Sequence, residues 1–313
     1  MTRRVWFTLF LPLFAQDAYR RPPVAVDQNR LRWPTQVAFP GDLVTVMDLK
    51  NNRILYCPRG RDWRVSPIAL RGGHSLARLP NGHYLINDTE NGRMLEAASL
   101  SSAEVTARTE LAGFALRRPH DQLVAPETGD VYVIDGNLRL FRFRELNGPA
   151  EAWTFTGDQL GYARALSWFD GALHVISSSR GQVVRIDDYG HRLCTTWTAG
   201  GKRREAPAGS FATTGLVLND VEKFAGRYYA TNYFTRSYAE GADPNVARLI
   251  CFETWKDFEA GRWEDLSARI PGGMVPYFLT AHGNRLYCAA FNHESPGDGD
   301  GVYVVAEAPS ASH

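Results

Sequence analysis

A chain of 313 residues that is 44% hydrophobic and 22% charged has a globular composition, with length for one large core or two ordinary domains. A formal net charge of +1 gives no electrostatic case for a nucleic-acid partner or an acidic membrane surface, and the basic runs at 59–64 and 202–204 are short enough to read as solvated loops. Aromatic residues at 12%, interleaved with 28 glycines, favour an all-β chain.

The N-terminus pairs a basic start, Met1-Thr-Arg-Arg, with an apolar run over 5–15, too short to span a bilayer. Two readings stand: a secretory signal peptide cleaved near Ala15 or Ala18, or an N-terminal arm kept in the mature protein. The first places the protein outside the cytoplasm, secreted or periplasmic; the second leaves it cytoplasmic. No other segment reads as transmembrane, so no integral membrane association is expected. The chain then divides into 1–18 (signal or arm), a single domain over 19–308, and a flexible tail at 309–313.

Six segments repeat one pattern: a short apolar strand, a turn with Gly, Asn or Asp, and a stronger strand ending in small polar residues. They begin at Thr35, His74, His120, Arg164, Asn219 and Tyr277, 39 to 58 residues apart. Most of these spacings suit the roughly 40 to 50 residues of a four-stranded propeller blade. Third strands are predicted at 53–57, 93–97, 138–143, 182–187, 247–253 and 301–305. Outer fourth strands are predicted at 64–70, 102–108, 150–156, 192–199 and 263–270. The sixth segment has no room for a fourth strand, and 22–28 can supply it, closing the ring with an N-terminal strand. The fold class is therefore all-β: a six-bladed β-propeller completed in its last blade from the N-terminus. A β-sandwich does not explain six repeats with a common third strand. A Rossmann or TIM architecture lacks its helices, since 254–264 holds a helical turn and no more. A polar insertion at 235–248 lengthens the fifth blade. Cys57, Cys194, Cys251 and Cys288 sit in apolar stretches with no CxxC spacing and are expected to be buried free thiols.

In a propeller the residue opening the inner strand and the residues closing the second strand meet at one mouth of the channel. The openers are the six named above; the closers are Asp48, Asn87, Asp88, Asp135, Ser177, Asn232, Asn292 and His293. His74 and His120 occupy the same repeat position in adjacent blades. With His293 they could supply three nitrogens to a divalent zinc, iron or manganese ion, leaving a position for water or substrate. The alternative is that each imidazole bonds a neighbouring backbone group. Arg164 would clamp a carboxylate or a developing oxyanion, or else pair with Asp220. Tyr277 or Asp220 would handle a proton, and Asn219, Asn232, Tyr162, Tyr233 and Asp88 would contact substrate. Phe278 adds a further aromatic wall. Asp121 would orient His120. Asp48, Asp88 and Asp135 also read as caps of the turns that follow them. His83 and His282 fall at turns on the opposite face, and His174 inside a strand.

The segments beginning Leu79-PNGHYLINDTENGRML, Pro119-HDQLVAPETGDVYVID and Ser177-SSRGQVVRIDDYG resemble the six-bladed propellers with NHL-type repeats, a group that includes gluconolactonase/senescence-marker-like lactonases, strictosidine-synthase-like proteins and peptidyl-hydroxyglycine amidating lyases. The resemblance covers nearly the whole chain from about residue 22. It implies the propeller fold and a divalent metal at the channel mouth. The lyases' metal histidines match His74 and His120 by blade position, and their basic and aromatic partners match Arg164 and Tyr277 loosely. The lactonases imply calcium or another divalent ion held by carboxylate and amide groups. Asn219 and Asp220 match part of that set, while the N-terminal glutamate has only Gln36 as its nearest counterpart. The group contains enzymes and binding scaffolds alike. The expectation is a metal-dependent lyase or hydrolase acting on a small carbonyl- or carboxylate-bearing molecule at the mouth; the alternative is a non-catalytic propeller binding a ligand or protein there.

Overall fold

The computed structural model describes residues 31–58, 62–187, 193–200, 216–233 and 248–308. Six antiparallel meanders follow one another along the chain, with strands hydrogen-bonded in chain order within each. Blade 1 holds Pro34–Ala38, Leu43–Asp48, Arg53–Pro58 and Arg64–Val65; blade 2 holds Leu76–Arg78, Tyr84–Asp88, Arg93–Ala97 and Thr106–Arg108. Blade 3 holds Asp121–Val124, Val131–Asp135, Arg139–Phe143 and Ala150–Thr154; blade 4 holds Ala163–Phe169, Ala172–Ser177, Gln182–Ile186 and Leu193–Thr198. Blade 5 holds Leu218–Phe224, Arg227–Asn232, Leu249–Phe252 and Glu264–Asp265. Blade 6 holds Met274–His282, Arg285–Asn292 and Gly301–Glu307. The fold is the expected all-β six-bladed propeller. The proposed closing strand at 22–28 lies outside the described residues, as do 1–18, most of the 235–248 insertion and the 309–313 tail. A two-stranded hairpin, Glu110–Leu111 with Phe114–Ala115, links blades 2 and 3 and is an addition to the expected elements. The helical turn is Trp255–Glu259, capped by Thr254, whose Oγ1 accepts from the Asp257 amide.

The core lies between the blades, in one apolar cluster at each junction. Met47, Ile54 and Tyr56 of blade 1 meet Leu76 and Ile86 of blade 2; Leu85 and Met94 meet Val133 and Phe141. Ile134 and Leu140 meet Leu166 and Val175, while Ile176 and Val183 meet Val221 and Ile250. Tyr229 and Leu249 meet Leu279 and Leu286. Val37, Val46 and Leu55 meet Tyr287 and Val302, so the ring is closed by packing between blades 6 and 1. Burial of apolar faces on both sides of each sheet explains why the second and third strands are near-continuous hydrophobic runs.

Polar side chains stitch the same junctions near the channel. Gln36 Oε1 accepts from the Leu76 amide at 2.7 Å, Ser75 Oγ donates to Asp121 Oδ1 at 2.7 Å, and Asp121 Oδ2 accepts from the Leu166 amide at 2.8 Å. Ser167 Oγ donates to Asp220 Oδ1 at 3.2 Å, Asp220 Oδ2 accepts from the Leu279 amide at 2.8 Å, and Thr280 Oγ1 donates to the Val37 carbonyl at 2.7 Å. The circuit passes through all six blades. At the seam the Trp33 amide also donates to Asp300 Oδ2, and the Trp33 ring stacks on Phe291 at 4.7 Å.

The aspartates ending second strands close turns. Asp48 Oδ2 accepts from Arg53 Nε at 2.7 Å and Asn51 Nδ2 at 2.8 Å, and Asp88 Oδ2 repeats this with Arg93 at 2.6 Å and Asn91 at 2.9 Å. Asp135 accepts from the Asn137 and Arg139 amides. The turn returns through a left-handed residue, Asn52 or Gly92, where glycine or asparagine carries little steric cost. Of the cysteines, Cys251 and Cys288 are buried free thiols as expected; Cys57 is half-buried, and Cys194 is exposed on an outer strand.

Candidate active site at the channel mouth

The side chains that open the inner strands reach the mouth because the ladder is broken beneath them. Pairing of the first two strands skips Thr35 in blade 1, Arg164 in blade 4, Asn219 in blade 5, and Tyr277 with Phe278 in blade 6. Each is a bulge, which turns a side chain out of the sheet's alternation. In blades 2 and 3 the same position lies just before the first ladder pair, at His74 and His120. The mouth is therefore built from six equivalent positions free of strand register.

Five of the six openers, all but Asn219, line a cavity of about 150 Å³. Thr35, His74, Arg118, His120, Arg164 and Tyr277 supply its polar groups, and Trp33, Tyr162, Tyr233 and Phe291 its aromatic walls; no carboxylate lines it. His74 and His120 lie with ring centroids 4.1 Å apart. His74 Nδ1 is 2.9 Å from the Gly72 carbonyl oxygen, and His120 Nδ1 is 2.8 Å from that of Arg164. A carbonyl only accepts, so each Nδ1 carries the proton and each Nε2 keeps its lone pair. The Tyr277 hydroxyl stands 3.4 Å from His120 Nε2, a long contact in which the tyrosine donates. Burial drives His74 down to about 3, and the Arg164 and Arg118 charges push the same way. His120 is held well below the usual imidazole range by burial, then by His74 and the same arginines. Burial raises Tyr277 well above the phenol range, so it stays protonated.

Arg164 is 9% exposed. Its Nη1 donates to Asn219 Oδ1 at 2.8 Å, its guanidinium lies 4.2 Å from the Tyr233 ring centroid, and its Nε has no hydrogen-bond partner. The expected alternative, an ion pair with Asp220, is not made: that carboxylate is taken by the Val221 and Leu279 amides and Ser167. Among the described residues no carboxylate pairs with Arg164. A buried, uncompensated guanidinium is costly unless something anionic completes it.

Several expected roles change. Asp121 does not orient His120; its oxygens hold Ser75 and the Leu166 amide, and the Arg164 carbonyl orients the imidazole instead. Asp121 and Asp220 are raised to about 7, chiefly by burial, and neither lines the cavity. Asn219 bridges Arg164 to the Pro276 carbonyl. Asn232 Oδ1 accepts from the Val217 amide at 2.7 Å, and Asp88 is occupied by its turn, so both lie outside the cavity lining. His293 stands apart from the histidine pair, its ring 4.9 Å from Trp33 and 6.3 Å from Tyr233. Trp33, Arg118 and Phe291 line the cavity although they were not among the expected site residues. Arg118 could have been found by its repeat offset, two residues before His120.

Among the described residues the side chains at the mouth do not assemble a divalent-metal site. Two imidazole nitrogens face the cavity beside two guanidiniums, the third histidine is elsewhere, and among the described residues no group of three His, Cys, Asp or Glu side chains converges on a metal position. Among the described residues neither the three-histidine zinc, iron or manganese site nor a carboxylate-and-amide calcium site is assembled.

No protein-family model matches the chain, and no curated protein sequence matches it. Solved structures show the fold. The chain is similar to a structural-genomics protein described as a candidate gluconolactonase, with a TM-score of 0.61 and 13% identity over 89% of this chain and 91% of the other. It is similar to a catalytically inactive histidine-to-alanine variant of virginiamycin B lyase from Staphylococcus aureus bound to quinupristin, with a TM-score of 0.55 and 11% identity over 89% and 96%. It is equally similar to the Pan2 WD40 domain of Neurospora crassa, with a TM-score of 0.57 and 11% identity over 90% and 91%. Identities this low carry the propeller architecture and no activity.

Proposed function

We propose that the pocket binds a small carboxylate-bearing molecule and transfers a proton next to that carboxylate, as a lyase or hydrolase does. The observation that carries this reading is Arg164: a guanidinium nine-tenths buried, with an idle Nε and no carboxylate partner among the described residues, facing a cavity without acidic lining. A bound carboxylate would complete its hydrogen bonds bidentately. The aromatic walls would cover the rest of a ligand of about six to eight non-hydrogen atoms, the scale that a cavity near 150 Å³ accepts.

His120 and Tyr277 are the proton-handling pair in this reading. The Nε2 lone pair can take a proton from a carbon or a water beside the carboxylate, and the Tyr277 hydroxyl can give one to a leaving oxygen. The free imidazole is a weak base first because it is buried, and then because the His74, Arg164 and Arg118 charges oppose its protonation. An anion on Arg164 cancels part of that field and raises its basicity when substrate is present. Structural kinship with a lyase and with a candidate lactonase is consistent with a catalytic propeller.

A second reading, a propeller that binds the anion without turning it over, is favoured by the same low basicity of His74 and His120. Incubation with a panel of small hydroxy acids, unsaturated acids and lactones, followed by NMR, separates the two. Turnover that disappears in His120→Gln and in Arg164→Gln supports the enzyme. Turnover that survives both variants overturns the proposed site. Binding without turnover supports the second reading.

A further inference from the structure

Among the described residues the pocket carries two cations and no anion. Arg164 sits at its base; Arg118 is exposed and lines its rim. Among the described residues no carboxylate is paired with Arg118 either. Its charge nonetheless reaches into the cavity, since both His74 and His120 feel it. The backbone marks the position as well. Trp33, Gly72 and Arg118 each stand two residues before the cavity residue of their blade, and all three are left-handed, with φ of 57°, 60° and 56°. Blades 1 to 3 share this conformation, and blade 2 meets it with glycine. Blades 1 and 3 hold strained non-glycine residues instead, and those two side chains line the cavity. Strain kept at a ligand wall, in a position where glycine would relieve it, points to use of the side chain.

We infer that the pocket takes a dianion, a small dicarboxylate, with one carboxylate on the buried Arg164 and the second on Arg118 at the rim. This rests on the anion-binding reading of the pocket. A molecule with one carboxylate would neutralise Arg164 and leave Arg118 unmatched; a diacid of three or four carbons carries a charge for each within the cavity's size. Arg118 is a specificity residue in this account, and His120 and Tyr277 keep their roles.

The test is calorimetric titration at pH 7 with malonate and succinate, each against the monoacid of equal carbon number. The native protein is expected to bind at least one diacid about tenfold or more tighter than its monoacid, the effect of one additional charge-assisted contact. In Arg118→Gly that preference should fall to within about twofold while the melting temperature rises, because glycine relieves the left-handed strain. A purely structural Arg118 would give the rise without the change in preference. Equal affinity for diacid and monoacid in the native protein overturns the dianion and leaves the single-carboxylate reading standing. Failure of every acid to bind overturns both.

Discussion

His120 Nδ1 donates to the main-chain carbonyl of Arg164, 2.8 Å away, so the imidazole is oriented by the residue whose guanidinium shares its cavity. The contact crosses the junction between blades 3 and 4. It fixes the tautomer, leaves Nε2 facing the ligand space, and ties the position of the base to that of the cation. The carbonyl is available because Arg164 lies in a bulge, where its backbone is released from the ladder.

Removing the buried charge should stabilise the unliganded protein. Arg164→Met deletes a guanidinium that lacks a carboxylate, and chemical denaturation should show a gain of about 1 kcal/mol, since an apolar side chain tolerates the site better than an uncompensated ion. The same variant should lose carboxylate binding. A variant less stable than the native protein would mean that Arg164 is held for the fold.

Asn87 should prove a positioning residue. Its Oδ1 accepts from the His74 and Ser75 amides, and its Nδ2 contacts Ser75 Oγ, the His120 carbonyl and Gln122 Oε1, all at 2.7–3.1 Å. Asn87→Ala leaves several buried groups without partners and should cost roughly 3 kcal/mol by urea denaturation. Asn87→Asp keeps the acceptor but sets an oxygen against the His120 carbonyl and Gln122 Oε1, and should be no more stable than Asn87→Ala. A loss below about 1 kcal/mol would show that the junction relaxes around it.

Stability should fall as pH rises through 7 and level off once the buried carboxyls have ionised. Asp121 and Asp220 are raised from 3.8 to about 7 in the fold, so the folded chain holds protons that the unfolded chain has released. Their contribution is complete below about 4 and is lost as pH rises through 7. His74, lowered from 6.5 to about 3, acts in the opposite sense and costs stability only below 6.5. Above 6.5 only carboxyls contribute: Asp121, Asp220 and Glu222, the last raised to about 8 by burial and the Asp220 charge, so the melting temperature should decline from pH 6.5 to about 8 and then level off. Asp121→Asn, which mimics the protonated acid, should flatten that decline; an unchanged slope would contradict the assignment.

Chelation should leave the pocket intact. Protein made without a histidine tag is expected to hold well below one equivalent of divalent metal, and EDTA should change neither its melting temperature nor its carboxylate affinity. One equivalent of metal that is lost in both His74→Ala and His120→Ala would contradict the donor-set argument.

The blades were legible from the sequence because each repeats a turn with chemistry of its own: Asp48 and Asp88 are each followed at fixed offsets by an asparagine and an arginine that their carboxylates hold. His74, His120, Arg164 and Tyr277 were legible as a group because repeat position sets which end of the channel a side chain reaches. The partners of those residues were not legible. Whether Asp121 faces His120 or the next blade depends on the stagger between sheets, which spacing along one chain does not encode. His293 failed to join the pair for a related reason: it follows the end of its strand by one residue, and Trp33 holds it at the rim. Arg118 and Trp33 lie in connecting segments, where hydrophobic periodicity carries no signal and only the offset of two residues before the inner-strand opener marks them.

The central claim is that Arg164 makes this pocket a receptor for a carboxylate. Calorimetric titration of butyrate and of butyramide, its neutral amide, into the native protein and into Arg164→Gln tests it most directly. The account predicts that the native protein binds the acid at least about tenfold more tightly than the amide, a difference of about 1.4 kcal/mol, and that Arg164→Gln erases the difference. Equal binding of acid and amide, or a preference for the acid that persists in Arg164→Gln, would contradict it.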